Sequence, residues 1–227
     1  MIVQGLRVRR VTPRLPEPPG PRSGTSGTGM PLRLLIAGDS AAAGVGAEHQ
    51  AGALSGAVVD ALQHDYRVSW ALHARTGLRT AGVIALLETV EASDFEVALL
   101  SVGVNDVTAF TSTGKWLGQQ RRLVALLKSR FGVQHVLLTG LPPMHAFPAL
   151  PEPLRGYLGA RAQLLNEALA HFAAADASCE IVLPTLPMDP ALMAADGFHP
   201  GPLAYREWGR CAAGIIQRRV STAASRD

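Results

Sequence analysis

Residues 32–46 read LRLLIAGDSAAAGVG, and the fold is decided here. Leu34, Leu35 and Ile36 form a short apolar run that stops at Gly38-Asp39-Ser40. A continuous apolar run closed by a turn signal fits a strand buried on both faces. Such strands build parallel sheets, and open α/β sheets bind ligands at the carboxyl edge. Ser40 then presents a hydroxyl on that edge and is a candidate nucleophile. Taken alone, a serine after a strand is more often a turn former or a helix cap.

Outward from this stretch, the pattern alternates. Helical periodicity covers 51–62, with Leu54, Val58 and Leu62 on one face. A strand pattern follows over 66–74, a helix over 80–90, and an apolar strand over 97–102. Residues 115–130 form an amphipathic helix with Trp116, Gln120, Leu123 and Leu127 on one face. Strands over 135–139 and 181–183 flank a long helix over 154–172, and 202–219 is the closing helix. Apolar strands alternating with amphipathic helices call for a parallel sheet covered on both faces. Right-handed crossovers narrow this to a three-layer α/β/α sandwich with a five-stranded, parallel, flavodoxin-like sheet.

The chain has 227 residues, 48% hydrophobic and 17% charged, which suits one globular domain with a sizeable core. Residues 1–31 stand apart as a leader rich in proline, glycine and arginine, and 32–227 form the domain. The composition of the leader predicts an extended lead-in without secondary structure. Every block with chemical character lies after Pro31, so loss of residues 1–30 is expected to spare the fold and the activity. Residues 1–30 hold five arginines and one acid of the chain's 21 basic and 18 acidic residues, leaving 16 and 17. The body is therefore near neutral, and nothing points to a nucleic-acid partner. Cys179 and Cys211 fit no metal or redox spacing. No apolar run reaches the roughly 18 residues of a membrane span, and no signal-peptide core is visible. The expected location is the cytoplasm. The arginine-rich start would suit the cytoplasmic flank of a membrane helix placed before it.

Four clusters fall at strand ends or beyond the last strand. They are Gly38-Asp39-Ser40, Gly77, Gly103-Val104-Asn105-Asp106, and Asp196-Gly197-Phe198-His199-Pro200. Their joint order is far more specific than any one of them. A serine hydroxyl needs an adjacent base to act as nucleophile. His199 can accept its proton through one ring nitrogen, while Asp196 takes the proton of the other and fixes the tautomer. An isolated Asp-x-x-His is usually a loop acid beside a surface histidine; the other blocks reverse that reading.

The four blocks resemble the SGNH hydrolases, also called GDSL-type esterases and lipases. The resemblance runs from about Leu32 to the C-terminus and falls on Ser40, Gly77, Asn105 and His199. Alanine follows the serine, at Ala41, where the family has leucine. Gly82 rivals Gly77 for the glycine block. The resemblance implies an oxyanion hole made by the backbone N–H of Ser40, the backbone N–H of Gly77 and the Asn105 amide. It also implies hydrolysis of carboxylic esters through an acyl-serine, with no cofactor and no metal. Acyl transfer or thioester cleavage could use the same site.

Gly44-Val45-Gly46 invites a different reading, a glycine turn cradling a phosphate. The dinucleotide pattern needs a third glycine where His49 stands, and no acid closes the second strand. A non-catalytic ligand-binding or nucleotide-binding domain is the remaining alternative, and the complete Ser-His-Asp set argues against it. Residues 141–155 hold Pro142, Pro143, Met144, Phe147, Pro148 and Leu150 and follow the fourth strand. Val104, Pro143, Met144 and Phe198 are thus expected to touch substrate. A stiff apolar wall favours a lipid-like or aryl acyl ester, a small molecule.

Overall fold

The computed structural model describes residues 2–183 and 192–224. Its elements in order are α1 (Ile2–Val11), β1 (Ser23–Ser26), β2 (Met30–Gly38), α2 (Leu54–Leu62), β3 (Tyr66–Ala74), α3 (Thr80–Thr89) and β4 (Val97–Ser101). They continue as α4 (Val104–Thr108), α5 (Thr113–Phe131), β5 (His135–Thr139), α6 (Leu154–Ala175), β6 (Cys179–Val182) and α7 (Pro202–Ala224). The sheet has six strands in the order β1-β3-β2-β4-β5-β6. The five from β2 to β6 pair in parallel. Their order is flavodoxin-like, as expected. The sixth strand is an addition: β1 pairs antiparallel with β3, so the sheet is mixed and not the five-stranded parallel one the sequence predicts.

Burial on both faces explains the apolar run in β2. Leu35 and Ala37 join the core beneath α3, α5 and α6. Leu34 and Ile36 join the core beneath α2 and α7. Strand order reverses beside β2, since β3 lies on one side of it and β4 on the other. Ser40 follows β2 directly and so stands at the topological switch point, where such sheets form ligand crevices. Gly38 allows the close approach there: a Cβ at this position would sit 1.9 Å from the Ser101 carbonyl oxygen. That carbonyl accepts the Asp39 N–H at 3.0 Å.

The lead-in departs most from expectation. It is neither wholly extended nor detached. Val8 of α1 packs on the larger core cluster, and Gln4 Nε2 donates to the Glu152 carbonyl at 2.7 Å. Residues of β1 complete an edge of the sheet, with Ser23 opposite Ala71 and Ser26 opposite Val68. Ser-Gly-Thr-Ser carries no apolar alternation, because three of its four positions are exposed and the pairing is made by backbone groups. Composition therefore hid the strand. Among the described residues no helix is long and apolar enough to cross a membrane.

Candidate active site

Four segments converge at the carboxyl edge of the sheet. The first is the turn after β2. Asp39 is buried, and its Oδ1 accepts the Ala41 N–H at 3.1 Å. Burial pushes its carboxyl up to about 7, although the bond from Ala41 and the nearby His199 pull the other way. It ties its own turn and does not touch the histidine ring.

The second segment is the loop before α7. Asp196 sits in a tight turn, where its Oδ1 accepts the N–H groups of Phe198 and His199, each at 3.0 Å. Its Oδ2 lies 2.6 Å from His199 Nδ1, and the opposite ring nitrogen, Nε2, lies 2.9 Å from Ser40 Oγ. The tautomer that satisfies both contacts carries the proton on Nδ1 and accepts the Ser40 hydroxyl at Nε2. The Asp196 side chain is 1% exposed and the His199 side chain 18%. Burial pushes the Asp196 carboxyl up, but the bonds from His199 and Phe198 outweigh it and hold it below the usual carboxylate range. Phe198 stands edge-on to the imidazole with centroids 5.4 Å apart, and edge-on to Phe147 at 5.1 Å. The ring is thus held from the proline-rich loop as well as from its own turn.

The third segment is α4, which follows β4. Asn105 Nδ2 donates to the Leu78 carbonyl at 3.0 Å and approaches Asp39 Oδ2 at 3.4 Å. The second contact is long, so one amide hydrogen is only loosely held beside the serine turn. Asp106 has a different task. Its Oδ2 accepts the Thr80 N–H and hydroxyl, each at 2.8 Å, and fixes the start of α3.

The fourth is the exposed turn after β3. Gly77 has φ +82°, and a Cβ there would meet nothing within 4 Å. The positive φ, and not crowding, is what calls for glycine here. Gly82 lies inside α3, in its first turn. Neither the Ser40 nor the Gly77 backbone N–H has a hydrogen-bond partner among the described residues. The unpaired N–H of Ser40, beside the hydroxyl–imidazole–carboxylate relay, suits a developing oxyanion, and the Gly77 turn is tied to the same sheet edge by the Arg75 N–H, which donates to the Gly38 carbonyl at 3.3 Å.

Beside Ser40 opens a cavity of about 290 Å³. Val104, Leu141, Pro143, Phe147, Phe198 and Trp208 form much of its wall. Met144 does not. It is fully buried in the core cluster, where it opens a short 3-10 turn beneath the loop. Apolar character alone could not tell a wall residue from a core residue. Phe147 was the better choice, and its contact with Phe198 was not legible from spacing. Among the described residues no three His, Cys, Asp or Glu side chains gather as a metal site.

The GDSL-like lipase/acylhydrolase family description matches residues 36–207. The chain belongs to that family. It is a carboxylic ester hydrolase, as the four sequence blocks implied. A comparison with curated proteins returns no match. Among solved structures, a lipolytic G-D-S-L family member from Veillonella parvula aligns with TM-score 0.65 and 16% identity, over 82% of this chain and 98% of that one. A carbohydrate esterase family 2 enzyme from Corynascus aligns with TM-score 0.61 and 16% identity, over 91% of this chain and 69% of that one. An alpha/beta hydrolase from the metagenome of Lake Arreo, Spain, aligns with TM-score 0.62 and 15% identity, over 82% and 95%. At these identities the neighbours speak for the fold.

Proposed function

We propose that this GDSL-family hydrolase cleaves esters of medium-length apolar acids, with Ser40 as nucleophile, His199 as base and Asp196 as its orienting acid. Ser40 attacks the ester carbonyl and passes its proton to His199 Nε2. The imidazolium, steadied by Asp196, returns that proton to the leaving alcohol. Water then attacks the acyl-serine by the same relay in reverse. The N–H groups of Ser40 and Gly77 and the Asn105 amide receive the oxyanion.

The observation that carries the substrate class is the wall of the cavity beside Ser40. A sugar acetate would leave that wall without partners and its own hydroxyls unbonded. An acyl chain removes the wall from water, at about 0.8 kcal/mol per methylene. At about 30 Å³ per water-sized group, the space takes a chain of roughly six to ten carbons.

A series of p-nitrophenyl esters from acetate to palmitate tests this. The expected kcat/KM rises from acetate to the six- to ten-carbon esters and falls beyond them. Highest kcat/KM on acetate would remove the acyl chain from the cavity.

A further inference from the structure

We propose that the lead-in is part of the catalytic apparatus, with Glu17 as a positioning residue that holds the turn carrying the Gly77 amide. This rests on the reading of Gly77 as an oxyanion donor.

The turn has little else to hold it. Thr76 and Gly77 are exposed, and no packing surrounds Gly77. Its internal bond, from the Leu78 N–H to the Arg75 carbonyl, is long at 3.4 Å. Leu78 is held on its far side, where its carbonyl accepts Asn105 Nδ2. On the near side the Arg75 N–H donates to the Gly38 carbonyl at 3.3 Å, and the shorter tether, at Thr76, comes from the lead-in. Glu17 Oε1 accepts the Thr76 N–H at 2.7 Å and the Thr76 hydroxyl at 2.8 Å. Bonds to an ionised acceptor are roughly twice as strong as neutral ones. Burial pushes the Glu17 carboxyl up, but the Thr76 bonds and Arg22 outweigh it and keep it ionised through the neutral range.

Glu17 is itself built into place. Its Oε2 accepts from Arg22 Nη1 at 2.9 Å, and Arg22 Nη2 donates to the Ala74 carbonyl, the last residue of β3. The Arg22 carbonyl accepts the Leu72 N–H at 2.7 Å. On the other side, Pro18 is buried over Gly44, and the Pro18 and Pro19 carbonyls accept Gln50 Nε2 and N at 3.2 and 2.9 Å. Gln50 Nε2 also donates to the Ala43 carbonyl, within the turn that follows Ser40. One short segment, residues 17–22, thus braces both loops that carry backbone oxyanion donors. A donor must sit where the oxyanion forms, and small misplacements are costly there.

The test uses the full chain, with Glu17→Ala and Glu17→Gln compared on a p-nitrophenyl octanoate substrate, well below each melting temperature. Glu17→Ala is expected to lower kcat roughly ten- to hundredfold with KM changed less than about twofold. Glu17→Gln keeps one acceptor oxygen for Thr76 and is expected to recover kcat to within about threefold of wild type. Binding of a boronic acid, which forms a tetrahedral adduct on serine, should weaken with kcat in the alanine variant. An unchanged kcat in Glu17→Ala, even with a lowered melting temperature, would make the lead-in purely structural and overturn the proposal. Equal losses in both variants would assign the effect to the Arg22 ion pair and also overturn it. Ser40→Ala run alongside separates the two levels: if it stays active, the reading of the site fails and the proposal falls with it.

Discussion

Replacing His199 with alanine lowers kcat by roughly four orders of magnitude or more, with the fold retained. Among the described residues, Ser40 Oγ has a single basic hydrogen-bond partner, His199 Nε2 at 2.9 Å. Without the ring, the hydroxyl proton has no acceptor when attack begins. The fold should survive because Asp196 keeps its two backbone N–H bonds at Oδ1. Asp196→Asn is expected to fall by a similar factor, about ten-thousandfold. An amide NH₂ facing Nδ1 forces the ring proton onto Nε2, and a protonated Nε2 cannot accept from Ser40. No backbone carbonyl shares the task of orienting the ring among the described residues. Steady-state kinetics beside a circular dichroism melt measures both variants. Turnover by folded His199→Ala above about one part in a hundred would remove the histidine as base.

Asn105→Ala should lower kcat about a hundred- to thousandfold, equivalent to roughly 3–4 kcal/mol, while KM stays close to wild type. The amide hydrogen beside Asp39 is held at 3.4 Å, and a developing oxyanion offers it a better acceptor. The interaction is then stronger in the transition state than in the bound ester, which is the pattern that moves kcat and spares KM. Asn105→Asp should be at least as harmful, since it places a second carboxylate beside buried Asp39 and repels the oxyanion. A purely structural role through the Leu78 carbonyl would instead lower the melting temperature and leave kcat near normal. That result would take Asn105 out of the oxyanion hole.

The parallel core and the relay were legible in the sequence because both follow from chain order. Strands buried on two faces read as unbroken apolar runs, and each delivers its following residues to one edge. Ser40 and Asn105 were placed there on that ground, while His199 lies beyond the last strand and was chosen from the joint order of the blocks and its spacing from Asp196. Gly77 came from the family resemblance, and the structure adds the local reason for glycine, a φ of +82°. Met144 was misplaced because burial in a core and exposure to an apolar cavity select the same side chains. The lead-in was unreadable for a further reason. A polar edge strand is specified by backbone hydrogen bonds, which leave no trace in composition. The bond from Thr76 to Glu17 spans 59 residues and involves two of the commonest surface residue types.

The most direct test of the site is labelling with a fluorophosphonate, followed by intact mass and peptide mapping. Such a probe reacts with a serine only where a base activates it and donors receive the phosphoryl oxygen. Ser101 lines the same cavity as Ser40 and is the natural rival. The expected result is one adduct per chain, on Ser40, absent in Ser40→Ala and slowed in Asn105→Ala. Labelling that survives Ser40→Ala, or that maps to Ser101, would contradict it.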